Sequence, residues 1–344
     1  MMSRLSYPLH PAYHLRPNKA VDRLLFVELL RVLESRCSLR QHTYIGLGGP
    51  FLEDFRLLAR EFPYMHLVSV ESDGETHKRQ LFHRCSSRME CFPGSLGSFI
   101  ESRFPSAEPV IVWADYTDIS RESLSELSDM VRQAVPTSVI RITVRAESPV
   151  PKRLNLHKFY PPRVPPRKEK DFERIRRKYE RDMTVDDTVF PPDWFEWPEF
   201  STERFPDLVA RMVRFIAQGA CTGSKAFVPV HTVKYSDGTI MVSLTGVLTT
   251  VTEKEEVAEH FRDKALLPTA DPEGTDCIDV PTLTTKERLH IEKYLPADKE
   301  DGSRCLKALG YLIDGDDSEE ATIAKFAQFE KYHRLYPFFA KVVP

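Results

Sequence analysis

Val21, Leu24, Leu25, Leu29, Val32 and Leu33 recur at three- and four-residue steps, with Asp22, Arg23, Glu28 and Arg31 between them. This spacing predicts a helix over 18–36 with one apolar face. The period then changes. Thr43-Tyr44-Ile45-Gly46-Leu47-Gly48-Gly49-Pro50 reads as a short strand running into a glycine turn, after which Leu52, Phe55, Leu57 and Leu58 return to helical spacing. His66–Glu71 is a second strand, apolar until its terminal acid, and 74–85 is a polar helix. Met89–Phe92 predicts a third strand leading into Gly94-Ser95-Leu96-Gly97, and the continuous apolar run Val110–Ala114 a buried fourth one ending in Asp115-Tyr116. A helix over 121–135 and a strand over 137–146 complete the series. Strands alternating with helices imply a parallel sheet, because parallel neighbours need a crossover and the crossover is normally a right-handed helix. A doubly wound α/β domain is therefore expected up to residue 148.

The segment 149–206 holds 10 of the 26 prolines, so it reads as an insertion and not as more sheet. Regular patterning resumes with a helix over 206–218. Two strands, Phe227–Tyr235 and Thr239–Leu248, then flank Ser236-Asp237-Gly238, a hairpin signal that makes them antiparallel neighbours. The rest reads as mostly helical, with capping boxes at Thr284-x-x-Glu287 and Asp317-x-x-Glu320 and an apolar set Ile323, Phe326, Phe329 and Tyr332. The run Asp314-Gly315-Asp316-Asp317 lacks the alternating oxygen ligands and closing Glu of a calcium loop and reads as a linker. The expected organisation is a first half over 1–148, an insertion over 149–205, the remainder of the domain over 206–250 and a helical extension over 251–344.

Composition narrows the function classes. The 344 residues carry 48 Lys+Arg against 51 Asp+Glu, a net charge of -3, so no global basic field draws the chain to nucleic acid or anionic membrane. No uncharged apolar run reaches the ~18 residues of a membrane span, and 24–33 contains Glu28 and Arg31, unlike a signal peptide. A cytoplasmic protein is expected. The six cysteines form no C-x-x-C pair, so neither a structural metal nor a disulfide frame is expected.

The turn Gly46-x-Gly48-Gly49 lets a ligand approach the backbone just ahead of a helix start with unpaired N–H groups. Glu71 stands 22 residues beyond Gly49 at the end of the next strand, where an acid can accept from both ribose hydroxyls of an adenosine moiety. Nicotinamide dehydrogenases and S-adenosylmethionine-dependent methyltransferases share this logic. A dinucleotide G-x-G-x-x-G would need glycine where Phe51 stands, and the closing hairpin also disfavours a fully parallel dinucleotide fold.

Tyr44-Ile45-Gly46-Leu47-Gly48-Gly49, Ser69-Val70-Glu71, Gly94-Ser95, Trp113-Ala114-Asp115-Tyr116 and the terminal hairpin together resemble the successive motifs of a class I S-adenosylmethionine-dependent methyltransferase. Within that class, Gly46 through Asp54 with Ser69-Val70-Glu71 resembles a prokaryotic group labelled putative O-methyltransferases. The resemblance covers roughly 15–248 and implies a seven-stranded Rossmann-like sheet. It also implies that Gly46, Gly48 and Gly49 hold the methionine portion of S-adenosylmethionine, Glu71 the ribose, and Gly94, Ser95 and Leu96 the edge of the adenine, with Asp115 closing the pocket. The class usually has an acid where Tyr44 stands and a glycine where Pro50 stands; Asp54 is a candidate substitute for the missing acid.

The acceptor is not identified by the sequence. Asp115-Tyr116-Thr117-Asp118 lacks the Pro-Pro of amino-methylating enzymes, and no cysteine suits attack on a cytosine ring, leaving oxygen or an atypical nitrogen. Asp115, Tyr116 and His231 are the candidates for positioning or deprotonating the acceptor. Arg16, Asn18 and Lys19 bring polar and cationic groups to a helix start, where a carboxylate or phosphate would be welcome. Residues 151–182 contain 12 Lys/Arg against 5 Asp/Glu, while 183–200 contain five acids and no Lys/Arg. These blocks either pair with each other or contact an anionic acceptor, with Trp194 and Trp197 stacking on it. Nucleic acid bound through 163–182 is the less favoured partner. The insertion is expected to cover the acceptor side of the pocket. The rival readings are an inactive methyltransferase-like binding module and an NAD(P)-dependent oxidoreductase.

Overall fold

Pro17 opens the first helix, α1 (Pro17–Glu34), where its fixed φ suits the first turn and its missing N–H costs nothing. The computed structural model describes residues 16–105, 107–151, 166–185, 188–263, 274–296, 301–313 and 318–337. After α1 come β1 (Thr43–Gly46), α2 (Glu53–Glu61), β2 (His66–Glu71), α3 (Gly74–His83), β3 (Met89–Pro93), α4 (Leu96–Arg103), β4 (Val110–Asp115), α5 (Arg121–Gln133) and β5 (Val139–Arg145). Then follow α6 (Pro166–Met183), α7 (Phe205–Gly219), β6 (Lys225–Ser236), β7 (Ile240–Thr250), α8 (Lys254–Asp263), β8 (Asp276–Ile278), α9 (Thr285–Ile291), α10 (Ser303–Leu309) and α11 (Glu319–Tyr332).

The strand order is β3-β2-β1-β4-β5-β7-β6-β8. Strand β1 sits between β2 and β4, parallel to both, with Gly46 opposite Ser69 on one side and Trp113 on the other. Strand β7 pairs antiparallel with β5, Ile140 facing Gly246. This is the expected doubly wound α/β fold with a terminal hairpin. Among the described residues the sheet has eight strands instead of seven, because β8 has three residues, too few to show an alternation in the sequence.

The chain forms two compact units, one of 29–234 with 239–276, the other of 1–28, 235–238 and 277–344. In the larger, Ile45, Val70, Val112 and Ile142 meet Phe99 of α4, Leu127 of α5 and Met212 of α7 in one buried cluster. The same cluster takes in the described part of the insertion: Phe172 and Tyr179 of α6 pack edge-on against Trp197 and Phe200, with ring centroids 4.5 and 5.6 Å apart. Arg121 Nε of α5 donates to the Thr184 carbonyl at 2.8 Å.

The two charge blocks of the insertion do not pair with each other among the described residues. Arg176 and Arg177 bind Glu173, Arg174 binds Asp171, and Glu199 takes Arg204 and Arg211. Partners three and four positions apart share one side of a helix, which favours the pairs within α6. Arg176 and Arg177 hold the Glu173 carboxyl down at about 2.

In the smaller unit the capping box at Thr284 and Glu287 forms as expected. The second, expected at Asp317 and Glu320, begins outside the described residues. Ser318 caps α11 by accepting from Ala321 N at 3.2 Å, while the run 314–317 lies outside the described residues. Phe326 and Phe329 are fully buried, and the buried Glu330 carboxylate accepts from Gly302 N at 3.0 Å and Cys305 Sγ at 3.3 Å. Burial and that carboxylate push the Cys305 thiol up to about 12. Among the described residues, no helix is long and apolar enough to cross a membrane, and no group of three or more His, Cys, Asp or Glu is placed to hold a metal.

Candidate functional site

Four adjacent parallel strands deliver their carboxyl ends to one side of the sheet, bringing together Gly46 at the end of β1, Glu71 of β2, Gly94 after β3 and Asp115 of β4. In an open α/β sheet, the crevice beyond these ends is where ligands bind.

The turn after β1 is shaped by its glycines. A Cβ on Gly48 would stand 2.5 Å from Ser69 Oγ, 2.7 Å from Leu52 Cδ2 and 2.9 Å from Phe55 Cε2, so only glycine lets the turn sit this close to β2 and α2. Gly49 is the opposite case. It is exposed, and a Cβ there would meet nothing within 4 Å. Leu52 then takes a left-handed conformation, φ 53° and ψ 42°, while its side chain is buried. It caps α2 with no side-chain hydrogen bond, so the first N–H groups of the helix carry no side-chain cap. Asp54 lies half-buried in that first turn, beside Glu53.

Gln80 of α3 escaped the sequence pattern. It is fully buried, and its Nε2 donates to the Gly48 carbonyl while its Oε1 accepts from Ser69 Oγ at 3.1 Å. Its neighbours Leu81 and Phe82, which hydrophobicity would place inside, are 47% and 85% exposed. The clue available was a polar residue in the frame where α3 must face the sheet.

Glu71 is half-buried and accepts from Asp73 N at 2.7 Å; burial pushes its carboxyl above the ordinary range. Its carbonyl accepts from Gly94 N at 2.9 Å, joining the second turn to the third. Ser95 caps α4 through Ser98 N at 3.1 Å, and the Leu96 side chain enters the core. Asp115 is half-buried opposite Thr143.

Tyr116 turns to Glu126 of α5, to which its hydroxyl donates. Burial and that neighbouring charge push the phenol well above its ordinary range, so this hydroxyl stays protonated at neutral pH. His231 lies elsewhere. It is enclosed in the middle of β6, its Nε2 3.9 Å from Asp276 Oδ2, with β5 and β7 between it and β4. Three strand spacings put it roughly 14 Å from the Asp115 strand.

The carboxylate expected at the start of α1 is supplied by the chain itself. Asp237 accepts from Asn18 N at 3.3 Å and Lys19 N at 2.8 Å, and Arg16 acts on its charge. The Asn18 side chain donates to the Ser236 carbonyl at 2.9 Å and accepts from Val280 N at 2.8 Å, and Lys19 is buried. The tryptophans are packed as well. Trp197 is buried against Phe172, and Trp194 lies between Phe190, Phe215 and the Arg211 guanidinium. Trp197 is enclosed in the core shared with α6, while Trp194 is half-buried against α7.

A family described as "Putative O-methyltransferase" matches residues 11–344. No curated protein matches. Among solved structures, the chain is similar to an O-methyltransferase family protein from Burkholderia thailandensis, at 17% identity over 68% of this chain and 58% of that one, TM-score 0.31. It is also similar to the O-methyltransferase from Bacillus cereus in complex with SAH, at 12% identity over 69% and 84%, TM-score 0.35. A third is Trm1 from Pyrococcus horikoshii with S-adenosyl-L-methionine, at 10% identity over 70% and 58%, TM-score 0.43.

Proposed function

This chain belongs to the family described as "Putative O-methyltransferase", and on that basis we propose that it transfers a methyl group from S-adenosylmethionine to an oxygen acceptor. The observation that carries the reading is the convergence of a bare glycine turn, a half-buried acid, a Gly-Ser turn and Asp115 on four neighbouring strand ends. The residues present fit the cofactor. Gly49 leaves open space beside the turn, and Glu71 can accept from a ribose diol. When bound, S-adenosylmethionine supplies a methyl group activated on a sulfonium.

The protein's own task is then alignment and exclusion of water, with a base only where the acceptor must lose its proton. Asp115 sits one strand from the glycine turn, on the side away from Glu71, and is the group assigned to orient the acceptor hydroxyl and take that proton. The adjacent Tyr116 commits its hydroxyl to Glu126. The antiparallel β7 also supports this reading over an NAD(P)-dependent oxidoreductase, whose sheet would continue parallel.

Isothermal titration with S-adenosylmethionine tests binding, and a tritiated methyl assay against hydroxylated acceptors tests turnover. Binding without turnover of any acceptor would favour a binding module. Glu71→Ala should weaken cofactor binding roughly 10–150-fold, as expected for a charge-assisted contact. The pH dependence follows from the same group. Its carboxyl titrates above the ordinary Glu range, and the ionised form is the better acceptor, so affinity should fall as pH drops through that raised value. In Glu71→Gln this acid limb should vanish. An unchanged limb would place the titrating group elsewhere.

A further inference from the structure

We infer that Gln80 is a positioning residue that fixes which way the Gly48–Gly49 peptide faces, and so aims its N–H at the cofactor. The inference rests on the methyl-transfer reading of this turn. One carboxamide spans two elements: Nε2 donates to the Gly48 carbonyl and reaches the Gly49 carbonyl at 3.5 Å, while Oε1 accepts from Ser69 Oγ on β2. The peptide is planar and trans, so a Gly48 carbonyl held toward α3 turns the Gly49 N–H the other way. Gly49 itself is exposed and a Cβ there meets open space, so a ligand can approach the turn at this residue.

Of the flanking residues, Pro50 has no N–H, Leu47 N donates to the Trp113 carbonyl at 3.4 Å and Leu52 N to the Gly49 carbonyl at 3.2 Å. Two glycines in sequence have more backbone freedom than any other pair, and a turn that presents a backbone N–H to a ligand needs its peptide plane held from outside. Gln80 supplies that hold from a fully buried position, which makes its side-chain geometry well defined.

Three variants of the full-length protein test it, each read by thermal unfolding, by amide exchange of residues 46–52 without ligand, and by titration with S-adenosylhomocysteine. Gln80→Leu removes both bonds and should speed exchange in the turn and weaken binding roughly tenfold to a hundredfold. Gln80→Glu keeps the shape but has no proton to give to the Gly48 carbonyl when ionised, so its deficit should shrink as pH falls and the buried acid becomes a donor again. A purely structural role would show the rescue in the unfolding temperature alone and leave the affinity of the folded protein unchanged with pH. Ser69→Ala leaves the Gly48 bond in place and should cost less affinity than either. If Gln80→Leu unfolds, the Gln80→Glu pH profile carries the test alone. Folded variants with wild-type exchange and wild-type affinity would overturn the role of Gln80. Faster exchange together with a wild-type protein that binds neither cofactor form would instead overturn the methyl-transfer reading, and with it the ligand assigned to this N–H.

Discussion

Gly49→Leu should abolish measurable binding of S-adenosylmethionine while leaving the unfolding temperature within about 2 °C of wild type. The side chain enters space where a Cβ meets no protein atom, so the fold has nothing to rearrange, and it fills the face on which the cofactor's methionine portion would rest. Gly48 is a poorer probe. Even alanine there is driven against Ser69, Leu52 and Phe55, an overpacking that typically costs about 1–3 kcal/mol, so lost binding would be mixed with lost stability. Titration calorimetry beside a melting curve separates the two. Undiminished binding by Gly49→Leu would remove the glycine turn from the cofactor site.

Gly302→Val should destabilise the unit containing 277–344 by about 2–5 kcal/mol, the sum of a left-handed penalty and an overpacking term. Gly302 stands at φ 73° before α10, and any Cβ on it runs into the Ile323 carbonyl and the Ala327 nitrogen of α11. These are backbone atoms in a helix and have no rotamer to give way. Its own N–H is also committed to buried Glu330 at 3.0 Å. A lowered urea midpoint and faster proteolysis within α10 and α11 are the expected results; a wild-type midpoint would mean that the two helices are not seated on each other at this glycine.

The doubly wound α/β order was legible in the sequence because burial imposes a period on each element. Buried parallel strands such as Val110–Ala114 must be apolar throughout, and α1 must be apolar on one stripe. The glycine turn and Glu71 were legible for a related reason: a bare backbone and an acid at a strand end leave marks in the residue types themselves. What tertiary structure alone decided concerns side chains whose identity permits several partners. His231 could have faced the pocket and instead lies three strands from β4 beside Asp276. Asn18 and Lys19 could have awaited an anion and instead receive Asp237 from the hairpin tip, more than two hundred residues away. Trp197 could have stacked on an acceptor and instead fills the core of the insertion, with Trp194 half-buried against it and Phe215. Gln80, one polar residue in a polar helix, became the clamp on the turn because α3 packs with that position inward and Phe82 outward. Periodicity is a local consequence of burial and survives in the sequence, whereas the partner of a polar group depends on which distant segment folding brings within about 3 Å of it.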